Sequence, residues 1–120
     1  MEGKHAEAID TYQQVYDRFP KLTNGVPAST ALCMMGSSYR KLGKPEKAVE
    51  VLRKQLTEYG YLKGCESTYY SLGRAYLDMG EKDKALKAFE DCLALGTGRR
   101  DPEGFLLKNA REAIAQIKHE

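Results

Sequence analysis

The sequence predicts an all-α protein built from paired helices, and three observations support this fold class. The segment from Met35 to Leu52 aligns without gaps to the segment from Leu72 to Phe89, at an offset of 37 residues. Within each copy, large apolar residues recur every three or four positions, which is the spacing of one helix face. A glycine after the first apolar stretch of each copy marks a helix end. Such a repeat predicts two-helix units that bury their apolar faces by stacking on their neighbours.

Six helices follow from these patterns, and their predicted ranges are 5–18, 28–42, 46–58, 66–79, 83–95 and 102–118. The first helix has one apolar stripe, formed by Ala8, Tyr12, Val15 and Phe19. The second and fourth helices have the same stripe. It consists of Leu32, Met35, Tyr39 and Leu42 in the second helix, and of Tyr69, Leu72, Tyr76 and Met79 in the fourth. The third and fifth share another, read as Ala48, Leu52 and Leu56 and as Ala85, Phe89 and Cys92. Each stripe is the face that a helix buries.

Glycines in the repeat have two predicted roles. Gly36 and Gly73 lie beside the stripes, where a missing side chain lets neighbouring helices approach closely. Gly43 and Gly80 lie where a helix must stop and the chain reverse, a position that favours positive φ. Pro45 suits the first turn of the helix that follows.

The two ends of the chain differ in character. The last helix is predicted to begin at Asp101 and Pro102, an N-cap and a first helical position. Its apolar stripe is Leu106, Ala110, Ala113, Ile114 and Ile117, and its other face is charged, as in a helix that closes a repeat stack. Helix 5–18 lacks the first helix of its own pair. We therefore expect that the chain is a piece of a longer repeat protein, or that a partner chain covers this helix; the alternative is a tolerated exposed edge.

Together these residues resemble the tetratricopeptide repeat (TPR) family, whose unit carries an aromatic residue or Leu, then Leu-Gly, Tyr, Ala, Phe, Ala and Pro. The matches are Leu32, Met35-Gly36, Tyr39, Ala48 and Leu52; then Tyr69, Leu72-Gly73, Tyr76, Ala85 and Phe89; and, in the opening half, Ala8, Tyr12, Val15 and Pro20. Gln55 departs from the family pattern, because a small residue is usual there. The resemblance implies a right-handed helix–turn–helix solenoid within one domain over 1–120. It would contain a half-repeat at 3–20, repeats at 29–62 and 66–99, and a capping helix at 101–118.

The candidate binding site is the face of the first helices that the stripes leave free. In a two-helix solenoid these helices line a concave groove. The predicted groove residues are Thr30, Cys33, Ser37 and Lys41 on one helix and Ser67, Tyr70, Arg74 and Asp78 on the next. Tyr and Arg often carry interface energy, so Tyr70 and Arg74 are the strongest candidates, on a face that we expect folding not to need. An idle solvated helix face is the alternative.

Composition and residue placement disfavour other classes of function. The 120 residues include 19 Lys and Arg and 17 Asp and Glu, a net charge of +2 that disfavours binding to nucleic-acid phosphates. The longest apolar run, 31–35, is too short to cross a membrane, and the N-terminus does not have the pattern of a signal peptide. His5 and His119 lie far apart in sequence, and the three cysteines lack metal-like spacing. We expect a cytoplasmic protein with no cofactor, no metal, no nucleic acid and no membrane partner. An enzyme built on Cys33 and a distant His is the weakest hypothesis.

The resemblance and the free face predict a non-catalytic module that binds a protein partner, as a peptide or a helix, in the concave groove. Some family members bind acidic chaperone tails through a clamp of Lys and Asn residues. That ligand is disfavoured here, because only Lys41 and Arg74 are cationic at the groove positions and no Asn is present. The alternative function is structural, a homo-oligomer that forms through helix 5–18.

Overall fold

The protein is all-α in the part of the chain that its computed structural model describes, namely residues 2–18, 26–59, 65–96 and 105–119. Its helices are α1 (Glu2–Arg18), α2 (Val26–Lys41), α3 (Pro45–Tyr59), α4 (Cys65–Asp78), α5 (Lys82–Gly96) and α6 (Phe105–Lys118). The predicted fold class is confirmed, and each predicted helix is present. The predicted cap of the last helix, at Asp101 and Pro102, lies outside the described residues.

The chain divides into two compact units, Met1–Lys63 and Gly64–Glu120. In the first unit α2 packs against both α1 and α3, and in the second α5 packs against both α4 and α6. The pairs α2–α3 and α4–α5 are the two copies of the repeat. The boundaries expected for a single domain over 1–120 stay a prediction.

The turns that close the two pairs have the same structure. Gly43 and Gly80 both have a φ of +77°, as predicted. In the first turn, the backbone N–H of Gly43 donates to the carbonyl of Arg40 (N···O 3.0 Å), and that of Lys44 donates to the carbonyl of Tyr39 (2.9 Å). In the second turn, the N–H of Gly80 donates to the carbonyl of Leu77 (3.0 Å), and that of Glu81 donates to the carbonyl of Tyr76 (2.9 Å). These paired bonds define the Schellman motif, which satisfies the last carbonyls of a helix and needs a residue of positive φ.

Each helix pair also contains a glycine that faces a large side chain. A Cβ atom added to Gly36 would lie 2.5 Å from the Cγ of Leu52, and one added to Gly73 would lie 2.6 Å from the Cε1 of Phe89. Leu52 and Phe89 are both completely buried. The two contacts join equivalent repeat positions, so the predicted close approach at these glycines is confirmed.

The cores consist mainly of the predicted stripes. In the first unit, a buried cluster of Ala28, Leu32 and Met35 is packed by the half-buried side chains of Ile9, Tyr12, Tyr16, Tyr39 and Val51. In the second unit, the buried side chains include Leu72, Tyr76, Ala85, Phe89, Cys92, Leu107, Ala110 and Ala113. Leu107 was not part of the stripe predicted for the last helix, and the side chain of Leu106, which was, lies outside the described residues.

The interface between α2 and α3 contains one buried polar pair. Gln55, the residue that departs from the family pattern, is 4% exposed. Its Nε2 donates a hydrogen bond of 2.8 Å to the Oγ of Ser29, which is also buried, whereas its Oε1 has no hydrogen-bond partner among the described residues. At the equivalent position of the second unit, Cys92 is fully buried as predicted.

Candidate protein-binding faces

α2 exposes a narrow strip on the side opposite its core contacts. Thr30, Met34 and Lys41 are exposed and Ser37 is half-buried. Their spacing of four, three and four residues places them in one line along the helix. Half-buried Cys33 lies at the edge of this strip. We call these five residues the α2 face.

Met34 is the apolar centre of the α2 face. Its side chain is 42% exposed, and in the described ranges Leu95 is the other large hydrophobic residue with such exposure. The predicted contact residue at this turn is Cys33, and Met34 is its neighbour in sequence. Helical spacing allows either residue to face outward, so only their exposure in the folded unit separates them.

α4 carries the equivalent strip 37 residues later. Ser67 and Asp78 are exposed, Ser71 and Arg74 are half-buried, and half-buried Tyr70 lies at the edge. We call these five residues the α4 face. Arg74 and Tyr70 thus retain surface that a partner could contact. Because α2 and α4 belong to different units, a groove shared by both faces stays a prediction.

Tyr70 links the α4 face to the core of its unit. The centroids of the Tyr70 and Phe89 rings are 5.6 Å apart and the ring planes meet at 61°, an edge-to-face arrangement. Tyr70 lies three residues before Gly73, so its ring is on the side of the helix where Phe89 packs. Tyr70 therefore contacts the core of its unit with one part of its ring and keeps the rest accessible, and whether folding needs this residue stays a prediction.

A second surface lies between α1 and α3, over the core side of α2. The Tyr16 hydroxyl of α1 donates a hydrogen bond of 2.7 Å to Oε1 of Glu58 in α3. The Nζ of Lys54 lies 4.5 Å from the centroid of the same ring, in cation–π contact. Burial, and then the bond to Glu58, raises the pKa of Tyr16; the hydrogen bond with Tyr16 raises the pKa of Lys54.

These contacts border a cleft of about 180 Å³, with Leu32, Met35 and Tyr39 among its lining residues. Small-molecule sites usually measure about 300–1,000 Å³, so the cleft is too small to be one. Sequence reasoning missed this arrangement, because Tyr16 and Glu58 are 42 positions apart.

α1 contributes half-buried side chains to the first unit and no fully buried one among residues 3–18. Ile9, Tyr12 and Tyr16 pack on the cluster of α2. Ala8 and Val15, at the margin of the same stripe, are also only half-buried. Part of the apolar surface of this helix is thus accessible in the unit.

The chemistry available on these faces is apolar contact, hydrogen bonding and ion pairing. Within the four described ranges, no three His, Cys, Asp or Glu side chains are grouped closely enough to hold a metal ion. His5 lies in α1, and His119 follows α6. The side chain of Cys65 lies outside the described residues. No helix in the described ranges is both long enough and apolar enough to cross a lipid bilayer.

Helix pairs with glycine-closed turns, repeated glycine–core contacts and a partly exposed strip on each first helix define a helical repeat protein. One model of the tetratricopeptide repeat matches residues 29–59 and 66–95, and a second model of this repeat matches residues 1–21. The chain therefore belongs to the tetratricopeptide repeat family.

The chain is also similar to a curated protein, the photosystem I assembly protein Ycf3 of Synechococcus sp. (strain CC9605). The two sequences are 31% identical over 112 residues. The alignment covers 88% of this chain and 62% of that protein, so the chain spans less than two thirds of the length of this relative.

Proposed function

We propose that this protein is a non-catalytic interaction module that binds a peptide or a helix of a protein partner along its α2 and α4 faces. The observation that carries the proposal is the repetition: two helices at equivalent repeat positions each keep one strip out of the core. The proposed contact residues are Thr30, Cys33, Met34, Ser37, Lys41, Ser67, Tyr70, Arg74 and Asp78.

The side chains on these faces suit protein recognition. Tyr70 offers an aromatic surface that Phe89 holds in place, so little conformational entropy is lost on binding. Arg74 offers a planar fork of donors for a carboxylate or a backbone carbonyl, and Lys41 offers a point charge. Because each face is a single helix strip, we expect an affinity on the order of micromolar.

The comparisons support a binding role. Tetratricopeptide repeat proteins are generally interaction scaffolds. The curated relative is named as a photosystem I assembly protein, and that name agrees with a role in binding other proteins. The nearly balanced charge favours protein partners over nucleic acid. We also propose that the protein is cytoplasmic and that its function needs neither a membrane nor a cofactor.

Peptide selection tests the proposal without a known partner. Random peptides displayed on phage are selected against the full chain, and the binding of each enriched peptide is measured by fluorescence polarisation. Arg74→Ala should weaken binding about tenfold, within the range of an interface hot spot. Arg53→Ala, at an exposed arginine of α3 outside both faces, should leave binding unchanged. Circular dichroism checks that both variants keep wild-type helicity; equal affinity of the two variants would reject the α4 face as a binding site.

The alternative function is self-association through α1, which covers the predicted helix 5–18. The half-buried apolar side chains at Ala8, Tyr12 and Val15 favour it, because a second copy could bury them further. Sedimentation velocity over a range of concentrations tests it. A dimer that dissociates in Val15→Glu supports self-association, and a monomer at every concentration rejects it.

A further inference from the structure

The α2 face has an apolar centre that the repeat does not require. Met34 is 42% exposed, although it lies one residue before buried Met35. The equivalent residue of the α4 face is Ser71, so the fold accepts a small polar side chain at this position. Methionine is unbranched and polarizable, and it adapts to apolar groups of different shapes.

The same helix is cationic at one end only. α2 carries Arg40 and Lys41 in its last turn and has no Asp or Glu along its length. Lys41 is exposed and lies on the α2 face, seven positions after Met34. With a rise of 1.5 Å per residue, the two side chains start about 10 Å apart along the helix axis. An apolar contact point and a positive charge therefore lie on one line.

We propose that the α2 face binds a protein segment that carries an apolar side chain and a carboxylate about 10 Å apart, because this spacing matches Met34 and Lys41. The apolar side chain packs on Met34, and the carboxylate pairs with Lys41. In an extended segment of polyproline II conformation, three residues make one turn and span about 9 Å, so side chains three positions apart lie on the same side at nearly this distance. The inference rests on the proposed function and adds the chemistry of the partner at one of its two faces.

The test uses peptides selected at random on the full chain, so that the motif is not imposed. We expect enriched sequences in which a Leu, Met or Phe and an Asp or Glu lie about three positions apart, the spacing that places both side chains on one side of a polyproline II segment. Met34→Ser, the residue found at the equivalent position, should weaken their binding about tenfold through lost apolar contact. Lys41→Glu should weaken it about fivefold, as expected for an exposed ion pair whose charge is reversed.

Two matched controls and one rescue sharpen the result. Leu95→Ser removes the other exposed large hydrophobic residue of the described ranges, and Lys4→Glu makes the same charge change on α1; both should bind like the wild type. A peptide whose acid is replaced by Lys should bind Lys41→Glu better than the original peptide does. Such a reversal requires direct pairing, which a merely structural role of Lys41 would not produce.

The outcomes separate this inference from the function on which it rests. Enriched peptides that Arg74→Ala weakens, but that Met34→Ser and Lys41→Glu leave unchanged, would overturn the inference and keep the proposed function. Peptides insensitive to all three variants, or the absence of any enriched peptide, would overturn both.

Discussion

Replacing Gly73 with alanine measures the close approach that holds the α4–α5 pair together. The new Cβ atom would lie 2.6, 2.7 and 2.8 Å from the Cε1, Cζ and Cδ1 atoms of Phe89. Carbon atoms in contact are normally about 3.5–4.0 Å apart, so the ring or the helix must move by about 1 Å. Phe89 is completely buried and its ring is rigid, so the displacement disturbs the surrounding core.

Two effects oppose each other in this variant. Overpacking a core costs about 1–3 kcal/mol. Alanine in place of glycine inside a helix returns up to about 1 kcal/mol. Because three ring atoms are contacted at once, the clash should be larger than the gain. We expect Gly73→Ala to lower the free energy of unfolding by about 1–2 kcal/mol, the difference between these terms.

Urea denaturation followed by circular dichroism measures this change, and Gly3→Ala is the matched control. Gly3 is also helical, but nothing lies within 4 Å of a Cβ placed there, so the same substitution should be neutral or stabilising. In a Phe89→Leu background the cost of Gly73→Ala should fall, with a coupling energy on the order of 1 kcal/mol. If Gly73→Ala is as stable as Gly3→Ala, the close-approach argument is wrong.

Three further predictions concern the turn, the alkaline limit and the buried polar pair. Gly43→Ala should lower the free energy of unfolding by about 1–2 kcal/mol, because only its φ of +77° opposes a side chain. Burial and the bond to Glu58 raise the pKa of Tyr16 above 10.0, so the folded state holds this proton more tightly. The contribution of Tyr16 to the free energy of unfolding is therefore fully present below pH 10.0 and is lost as the pH rises through the pKa of the folded state. Urea titrations at several pH values should show that Tyr16→Phe removes this loss. Ser29→Ala should cost about 1–3 kcal/mol by leaving the Gln55 amide wholly unpartnered, whereas adding Gln55→Met should recover most of that loss.

Each of these predictions has a contradicting result. If Gly43→Ala unfolds with the same free energy as the wild type, the turn does not require positive φ at this residue. An alkaline loss of stability that is equal in Tyr16→Phe and the wild type would assign that loss to other groups. If Ser29→Ala and its double variant with Gln55→Met were equally destabilised, apolar volume and not hydrogen bonding would explain the cost.

The elements that the sequence predicts well are those set by local chemistry. Gly43 needs no tertiary information, because a helix that stops before a short turn favours positive φ at that residue. Gly36 and Gly73 were predictable for a related reason, since the repeat places each beside the apolar stripe of its own helix. The helix ranges follow from apolar spacing, which reflects the geometry of the helix itself.

The site was predicted less completely, because exposure and side-chain contact depend on what packs nearby. Spacing places Cys33 and Met34 near the same helix face, and only the packing of α2 shows that Met34 is the more exposed. Tyr70 was predicted on the outer strip, and its contact with Phe89 depends on how closely α5 approaches Gly73. The hydrogen bond between Tyr16 and Glu58 joins α1 and α3, and no local sequence pattern links two residues 42 positions apart.

By itself the sequence determined the repeated helix pair, its closing glycines and the family, because periodicity and backbone preference act over a few residues and recur at a constant interval. Only the tertiary structure decided which side chains of that pattern remain available to a partner. A helix face becomes a binding surface only when its neighbours leave it uncovered, and that depends on distances between segments far apart in the chain.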